Sequence, residues 1–329
     1  MAYSGTVSQT NFNTRRVIEN AARRCKLPAQ SLTPEHVDIA NDQLYLLLSD
    51  LSNRGIQLWC IEKTLYPLYE GQSDITTITG TVDILNSNLR TLQQATGTTT
   101  VTAQTHETMF STPTVISTVG IQWSASSGGV LSLQRSVDGI IWTTVQTETP
   151  TASAGEWTWF DLDTSVASSY FRIITTSPSM LYSRVYLGNT PTEIPLARLS
   201  RDDYTNLPNK TFSSNRPLQF WLDRQVQRPV MNLWPVPNAA AEVMQVVVWA
   251  QRHIMDVGTM TQDIEVPQRW YEAIVAMLAA RLAMEYIEVD AGLIGMLDQK
   301  AKESLYFAQQ EERDNSPMMI LPNISMYTK

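Results

Sequence analysis

The sequence predicts an α+β chain: a helical-bundle core with a small β-sheet, interrupted by an inserted all-β sandwich. Three observations predict it. From Thr91 to Thr190 there are only 9 Asp, Glu, Lys and Arg residues, against 24 Lys and Arg and 32 Asp and Glu in all 329 residues. The same window holds 35 Ser and Thr and several short β-branched and aromatic runs: Thr114-Val115-Ile116, Ile140-Ile141-Trp142 and Tyr170-Phe171-Arg172-Ile173-Ile174. The flanks are charged, amphipathic and rich in Leu and Ala, the pattern of helices.

In the front flank, Val17, Ile18, Ala21, Ala22 and Cys25 make an apolar face at helical spacing, with Arg15, Arg16, Arg23 and Arg24 off it. Lys26-Leu27-Pro28 ends this helix. A second opens with Thr33 as N-cap and Pro34 at the first helical position, where its missing N–H costs nothing. Ile39, Leu44, Leu47, Leu48 and Leu51 form its buried face, and Gly55 is the expected stop. Trp59 to Tyr69 reads as a strand. Val82 to Leu92 reads as either a strand or a single helical turn.

Beyond the insert, Ile194-Pro195-Leu196 re-enters the host. Arg228 to Pro237 and Val243 to Arg252 are strands joined by a turn at Pro237–Ala241. The apolar run Val246-Val247-Val248-Trp249 suits a strand covered on both faces. Pro267 starts a third helix, with Trp270, Ile274, Met277, Leu278, Arg281 and Glu285 on one side. Its alanines (273, 276, 279, 280 and 283) keep it thin enough for close packing. A fourth helix runs from about Asp290 to Arg313, with Leu293, Met296, Leu297, Ala301, Leu305 and Ala308 in step. The tail from Asn315 to Lys329 contains Pro317 and Pro322 and should be extended. It is apolar for a free end, which implies a docking surface.

A chain this long supports two cores of ordinary size. Net charge −8 argues against a nucleic-acid binder dominated by phosphate contacts. Cys25 and Cys60 lack CxxC spacing and read as buried free thiols. No apolar run approaches the length of a membrane span, and the polar N-terminus lacks a signal-peptide core, so a soluble protein made in the cytoplasm is expected.

Chemistry-bearing motifs are scarce. The sequence holds no GxxxxGK[ST], GxGxxG, HExxH or G-x-S-x-G. His36, His106 and His253 lie in three different segments, too sparse for a metal site or a triad. Asp161-Leu162-Asp163 and Asp202-Asp203 read as a β-turn acid and a helix-start pair rather than catalytic carboxylates. The expectation is therefore a non-enzyme without cofactor or metal. Arg15, Arg16, Arg23 and Arg24 have two open readings, a surface toward DNA or an acidic partner, or a solvated face pairing with Glu19.

Stretches of both flanks resemble the head-to-tail adaptor (connector) proteins of short-tailed, double-stranded DNA bacteriophages. The resemblance is carried by Asn13-Thr14-Arg15-Arg16-Val17-Ile18 with Ala21-Ala22-Arg23-Arg24-Cys25. It continues through Leu44–Leu51, Gly55–Trp59 and Leu65–Tyr69, then Leu199–Tyr204, Leu207–Lys210, Pro217 and Phe220–Arg224. The best single piece is Pro229-Val230-Met231-Asn232-Leu233-Trp234-Pro235-Val236-Pro237. Together these cover most of residues 12–92 and 194–290, and their order along the chain is the argument.

That resemblance implies a structural virion protein at the head-to-tail interface. It would be a self-associating dodecameric ring joining the portal protein to the tail nozzle protein, sealing the filled head and passing viral DNA, with no membrane involved. It places portal docking on Met318, Met319, Ile320, Leu321, Ile324, Met326 and Tyr327, and makes the four arginines candidates for the channel or for acidic portal loops.

The insert departs from plainer adaptors. Ser136-Val137-Asp138-Gly139-Ile140-Ile141-Trp142-Thr143 and Tyr170-Phe171-Arg172-Ile173 resemble a discoidin-type (factor 5/8 C-terminal), jelly-roll-like sandwich. Domains of that type often bind glycans or other surfaces through loops at one end. Trp123, Trp142 and Trp157 are the candidate glycan contacts, although inward-facing Trp is the commoner arrangement. A contact to a neighbouring subunit, tail fibre or capsid collar is the other role for the insert. The expected division is 1–94 and 191–313 for the two halves of the body, 95–190 for the sandwich and 314–329 for the docking tail. The alternative function is carbohydrate binding or host recognition through the sandwich.

Overall fold

A computed structural model of the chain describes residues 12–311, apart from 54–57, 103, 163–165, 178–179, 227 and 287–288. The helices are α1 (Thr14–Arg24), α2 (Pro34–Asn53), α3 (Arg201–Thr205), α4 (Tyr271–Glu285) and α5 (Ala291–Glu311). The first strands are β1 (Ile61–Pro67), β2 (Asp74–Thr76), β3 (Thr81–Gln94), β4 (Thr98–Val101), β5 (Thr105–Thr114), β6 (Thr118–Trp123), β7 (Ser127–Gly128), β8 (Leu131–Ser136) and β9 (Thr143–Glu148). They continue as β10 (Thr151–Ala152), β11 (Trp157–Asp161), β12 (Ser168–Thr175), β13 (Tyr182–Pro195) and β14 (Ala197–Arg198). The last are β15 (Ser213–Ser214), β16 (Gln219–Asp223), β17 (Val230–Trp234), β18 (Val236–Pro237) and β19 (Gln245–Arg252).

The chain forms two compact units: residues 1–61 with 252–329, and residues 62–251. The first is helical. Asn13 caps α1, its Oδ1 accepting the Arg16 N–H at 2.9 Å. Thr33 caps α2 through the His36 N–H at 3.3 Å. The expected apolar faces of both helices are buried, except that Ile39 is only half-buried. Helix α1 ends as Lys26 turns into left-handed backbone, φ 65°, and the Leu27 N–H reaches back to the Ala22 carbonyl at 3.0 Å. Helix α4 is the hub, and α1, α2 and α5 all pack on it. Of its 15 residues 11 are buried, so the expected one-sided face is corrected to burial nearly all round. Small alanines on several sides let three neighbours approach at once. Both cysteines are buried free thiols. Burial pushes the Cys25 thiol up to about 11, and its Sγ donates to the Ala279 carbonyl at 3.3 Å.

The second unit is β-rich. One sheet runs β1-β19-β3-β13-β6-β11, and a second runs β4-β5-β12-β8-β9. Between them lies one core: Val119, Ile121, Trp123, Phe160 and Leu187 from the first sheet meet Phe110, Leu131, Leu133, Phe171 and Ile173 from the second. This is a β-sandwich. A third sheet, β14-β16-β17-β2, shares a separate core with β3 and β19, built on Leu68, Ile84, Phe220, Met231, Val246 and Val248.

The expected organisation is corrected in one respect. Among the described residues strand outweighs helix, 39% to 29%, and the flanking segments 62–94 and 191–251 are built mainly on strands rather than belonging to a helical host. The sandwich is continuous with them. Strands β3 and β13 are each 14 residues long and pair antiparallel, and β13 also pairs with β6. The boundary expected at 190/191 therefore falls inside β13. Val82 to Leu92 settles as strand because it gains partners on both edges. Gly55 and the tail residues Met318 to Tyr327 lie outside the described residues.

Candidate functional site

Among the described residues no three His, Cys, Asp or Glu gather as a metal would require. His36 closes the first turn of α2, its Nδ1 accepting the Thr33 N–H at 3.4 Å. His106 is on β5 against Tyr182, and burial lowers its pKa from the ordinary value of 6.5. His253 is exposed at the end of β19.

Asp161 is not a turn acid. It ends β11 and joins Arg90, the most buried charge among the described residues, which is 5% exposed. Arg90 Nη1 donates to Asp161 at 2.6 Å, and its Nη2 and Nε donate to Glu193 at 2.6 and 3.1 Å. Lys63, Thr118 and Asn88 complete the cluster at 3.0, 3.1 and 2.9 Å. Burial pushes the Asp161 and Glu193 carboxyls up, and the bonds and charge of Arg90 outweigh it, leaving both below the ordinary carboxylate range. Every acceptor there is engaged across β3, β11 and β13, so the cluster clamps strands. Asp202 and Asp203 open α3 as expected, with the Ser200 hydroxyl accepting the Asp203 N–H at 3.1 Å.

The four arginines of α1 have partners within the helical unit. Arg15 meets Glu19 at 2.8 Å, Arg16 lies 4.4 Å over the Phe12 ring, Arg23 donates to Asn20 at 3.5 Å and Arg24 meets Glu272 at 2.6 Å. Arg15 remains 73% exposed.

The tryptophans proposed for sugar stacking divide. Trp123 is fully buried, its indole N–H donating to Thr158 at 2.8 Å, and it fills the sandwich core. Trp157 is buried beneath Arg184, whose guanidinium lies 5.3 Å from the ring, and beside Trp159 at 5.2 Å. Neither offers a free face to a sugar ring: Trp123 turns into the sandwich core, while Trp157 lies on the opposite face of β11 from Phe160, covered by Arg184 and Trp159. Trp142 is half-buried, with Arg172 3.9 Å over its ring and Tyr170 edge-on at 6.4 Å.

Near Trp142 the turn between β8 and β9 forms one wall of a groove of about 330 Å³. Its lining includes Arg135, Asp138, Ile141, Thr143, Val166 and Ser168. Asp138 holds the turn: its Oδ1 accepts the Ile140 and Ile141 N–H groups and the Ser136 hydroxyl, each at 2.9 Å. Those bonds keep its carboxyl below the ordinary range. Gly139, at φ 75°, faces the Tyr170 ring, a backbone conformation that side chains resist. The turn leaves Val137, Ile140 and Ile141 at 74%, 81% and 73% exposure. The motif is legible in the sequence; the groove is not.

Two further apolar faces belong to the helical unit. Tyr45 and Leu46 stand out from α2, and Met296, Tyr306 and Phe307 from α5, all between 48% and 71% exposed.

No family model matches this chain, and no curated protein matches it. Solved structures similar to part of it include a module described as CpGH89CBM32-6, produced by Clostridium perfringens, at 17% identity and TM-score 0.24, covering 26% of this chain and 68% of that one. Another is CBM32-1 from a family 31 glycoside hydrolase of the same organism, at 12% identity and TM-score 0.24, covering 41% of this chain and 98% of that one. A third is the CBM32 of AlyQ in complex with 4,5-unsaturated mannuronic acid, at 14% identity and TM-score 0.24, covering 35% and 100%. The sandwich is defined by its own strands and core.

Proposed function

We propose that this chain is a structural assembly protein of the head-to-tail adaptor kind, whose helical unit docks copy against copy. The observation that carries the reading is the pair of uncovered apolar faces on α2 and α5. Both helices pack on α4 rather than on each other. Two different uncovered faces on one unit suit a heterologous contact, which repeats until a ring closes. The charged residues exposed on α2 are all acidic, Glu35, Asp38 and Asp42, while Lys300 and Lys302, with Glu303, stand on α5. On this reading the ring is dodecameric, the tail residues 318–327 reach the portal, the nozzle binds the far side and Arg15, Arg16 and Arg23 face DNA or acidic loops.

Mass photometry of the protein alone and mixed with its portal tests this. A discrete ring that is lost in Met296→Glu/Phe307→Glu, with the helical circular dichroism unchanged, is the expected result. A chain that stays monomeric with and without portal overturns it.

A second reading, carbohydrate binding or host recognition through the sandwich, is favoured by the groove beside the β8–β9 turn. Retardation of the protein on glycan columns is its test, and passage without retardation on a broad panel removes it.

A further inference from the structure

We infer that the groove beside the β8–β9 turn takes a carboxylate-bearing sugar, with Arg135 as its anchor. This rests on the second reading above and names its ligand chemistry. In β8, Leu131 and Leu133 are fully buried in the sandwich core, and Arg135 follows them at the same alternation. Its register partners are Phe171 on β12 and Thr143 on β9, so a strand on each side fixes its backbone. It lines both the groove and the narrow cavity behind it, where the other walls include Phe110, Ile116, Leu162 and Phe171.

Arg135 is half-buried and makes no ion pair or side-chain hydrogen bond among the described residues. Its neighbours on the outer face differ: Arg172 bonds Gln134 at 2.7 Å and stacks on Trp142. A guanidinium partly withdrawn from water into apolar walls without a counter-ion is a costly arrangement. A carboxylate relieves it with two parallel N–H···O bonds, the geometry a guanidinium fork matches best.

The rest of the groove selects the kind of carboxylate. Val137, Ile141 and Val166 present aliphatic surface to the C–H face of a ring, while Thr143 and Ser168 add hydroxyls. Asp138 Oδ2, which takes none of the turn's bonds, remains to accept from ligand hydroxyls. One cation beside one acid fits a ring with a single carboxylate among hydroxyls, and disfavours a densely anionic chain. The groove volume lies within the range of about 300–1,000 Å³ usual for small-ligand clefts.

The test is calorimetric titration of the full chain with short oligouronides and with the matching neutral oligosaccharides. The expected result is uronide binding that falls at least tenfold in Arg135→Gln, with partial retention in Arg135→Lys. Val166→Glu, at a wall residue that is 52% exposed, supplies an independent variant, whose added charge should weaken uronide binding while the far-ultraviolet circular dichroism stays unchanged. Uronide binding unchanged in both Arg135→Gln and Val166→Glu overturns the inference. Binding of neutral sugars alone also overturns it while leaving the second reading intact, and binding of no sugar at all removes both.

Discussion

Arg90 shows how a charge can be placed in a sheet interior. It is fully engaged by Asp161 and Glu193, and removing one member of a buried ionic cluster costs more than the cluster contributes, because the remaining charges keep their burial without their partner. Arg90→Ala should therefore destabilise the β-rich unit by about 3–5 kcal/mol in urea unfolding, and an unchanged midpoint would remove the clamp. The same groups set the response to acid. Asp161 and Glu193 have folded pKa values below their ordinary values of 3.8 and 4.5, so the unfolded chain binds more protons there. Their contribution is present above about pH 4.5 and is lost as pH falls through the folded values. His106 acts in the same direction at higher pH. Half-buried, it titrates below the ordinary 6.5, so stability declines as pH drops from that value toward its folded pKa. His106→Phe should flatten the decline in melting temperature between pH 7 and 5; an unaltered slope would contradict this. None of these roles was legible in the sequence, where Arg90 sat in an ambiguous segment and Asp161 resembled a turn residue. Side-chain partners 71 and 103 residues away leave no local signal.

Elements were legible where periodicity is strong. The α1, α2, α4 and α5 segments were read within a few residues, since apolar spacing over three or more turns has few competing explanations. The sequence of β3 fits either a strand or a helical turn because Asp83, Asn86, Asn88 and Arg90 interrupt its apolar pattern, and only its neighbours in the sheet decide it. The sequence leaves the faces of the sandwich tryptophans open for a related reason: composition gives the number of aromatic residues but not the face of the strand they occupy. For Arg135 the signal in the sequence is a lone arginine two residues after Leu133, in step with Leu131 and Leu133. Helix α4 yields the prediction at this scale. Its alanines are small because three helices share its surface, and Ala279 is fully buried against Cys25. Ala279→Leu should cost about 1–3 kcal/mol by overpacking although Leu is a good helix former. A neutral result in thermal unfolding would mean that the hub has room to spare.

At the scale of the molecule, the helical unit is discontinuous and the β-rich unit is not. The chain leaves the helical unit at Ile61 and returns at Arg252, and the strands at those two points, β1 and β19, are neighbours in one sheet. Folding of the β-rich unit therefore shortens the span of chain that separates the two halves of the helical unit. Without it, a loop of that length must be closed at an entropic cost before α1 and α2 can meet α4. The dependence is one-way, since the β-rich unit has its own cores and continuous sequence. Trp123→Ala removes a fully buried indole, at about 3–5 kcal/mol, and should lower hydrogen-exchange protection in α1, α2 and α4 as well as in β6 and β12. Ala279→Leu should lower protection in the helices and leave β6 and β12 unchanged. Symmetric losses in the two variants would show that the units fold as one body, and independent losses would show that the helical halves need no help to meet.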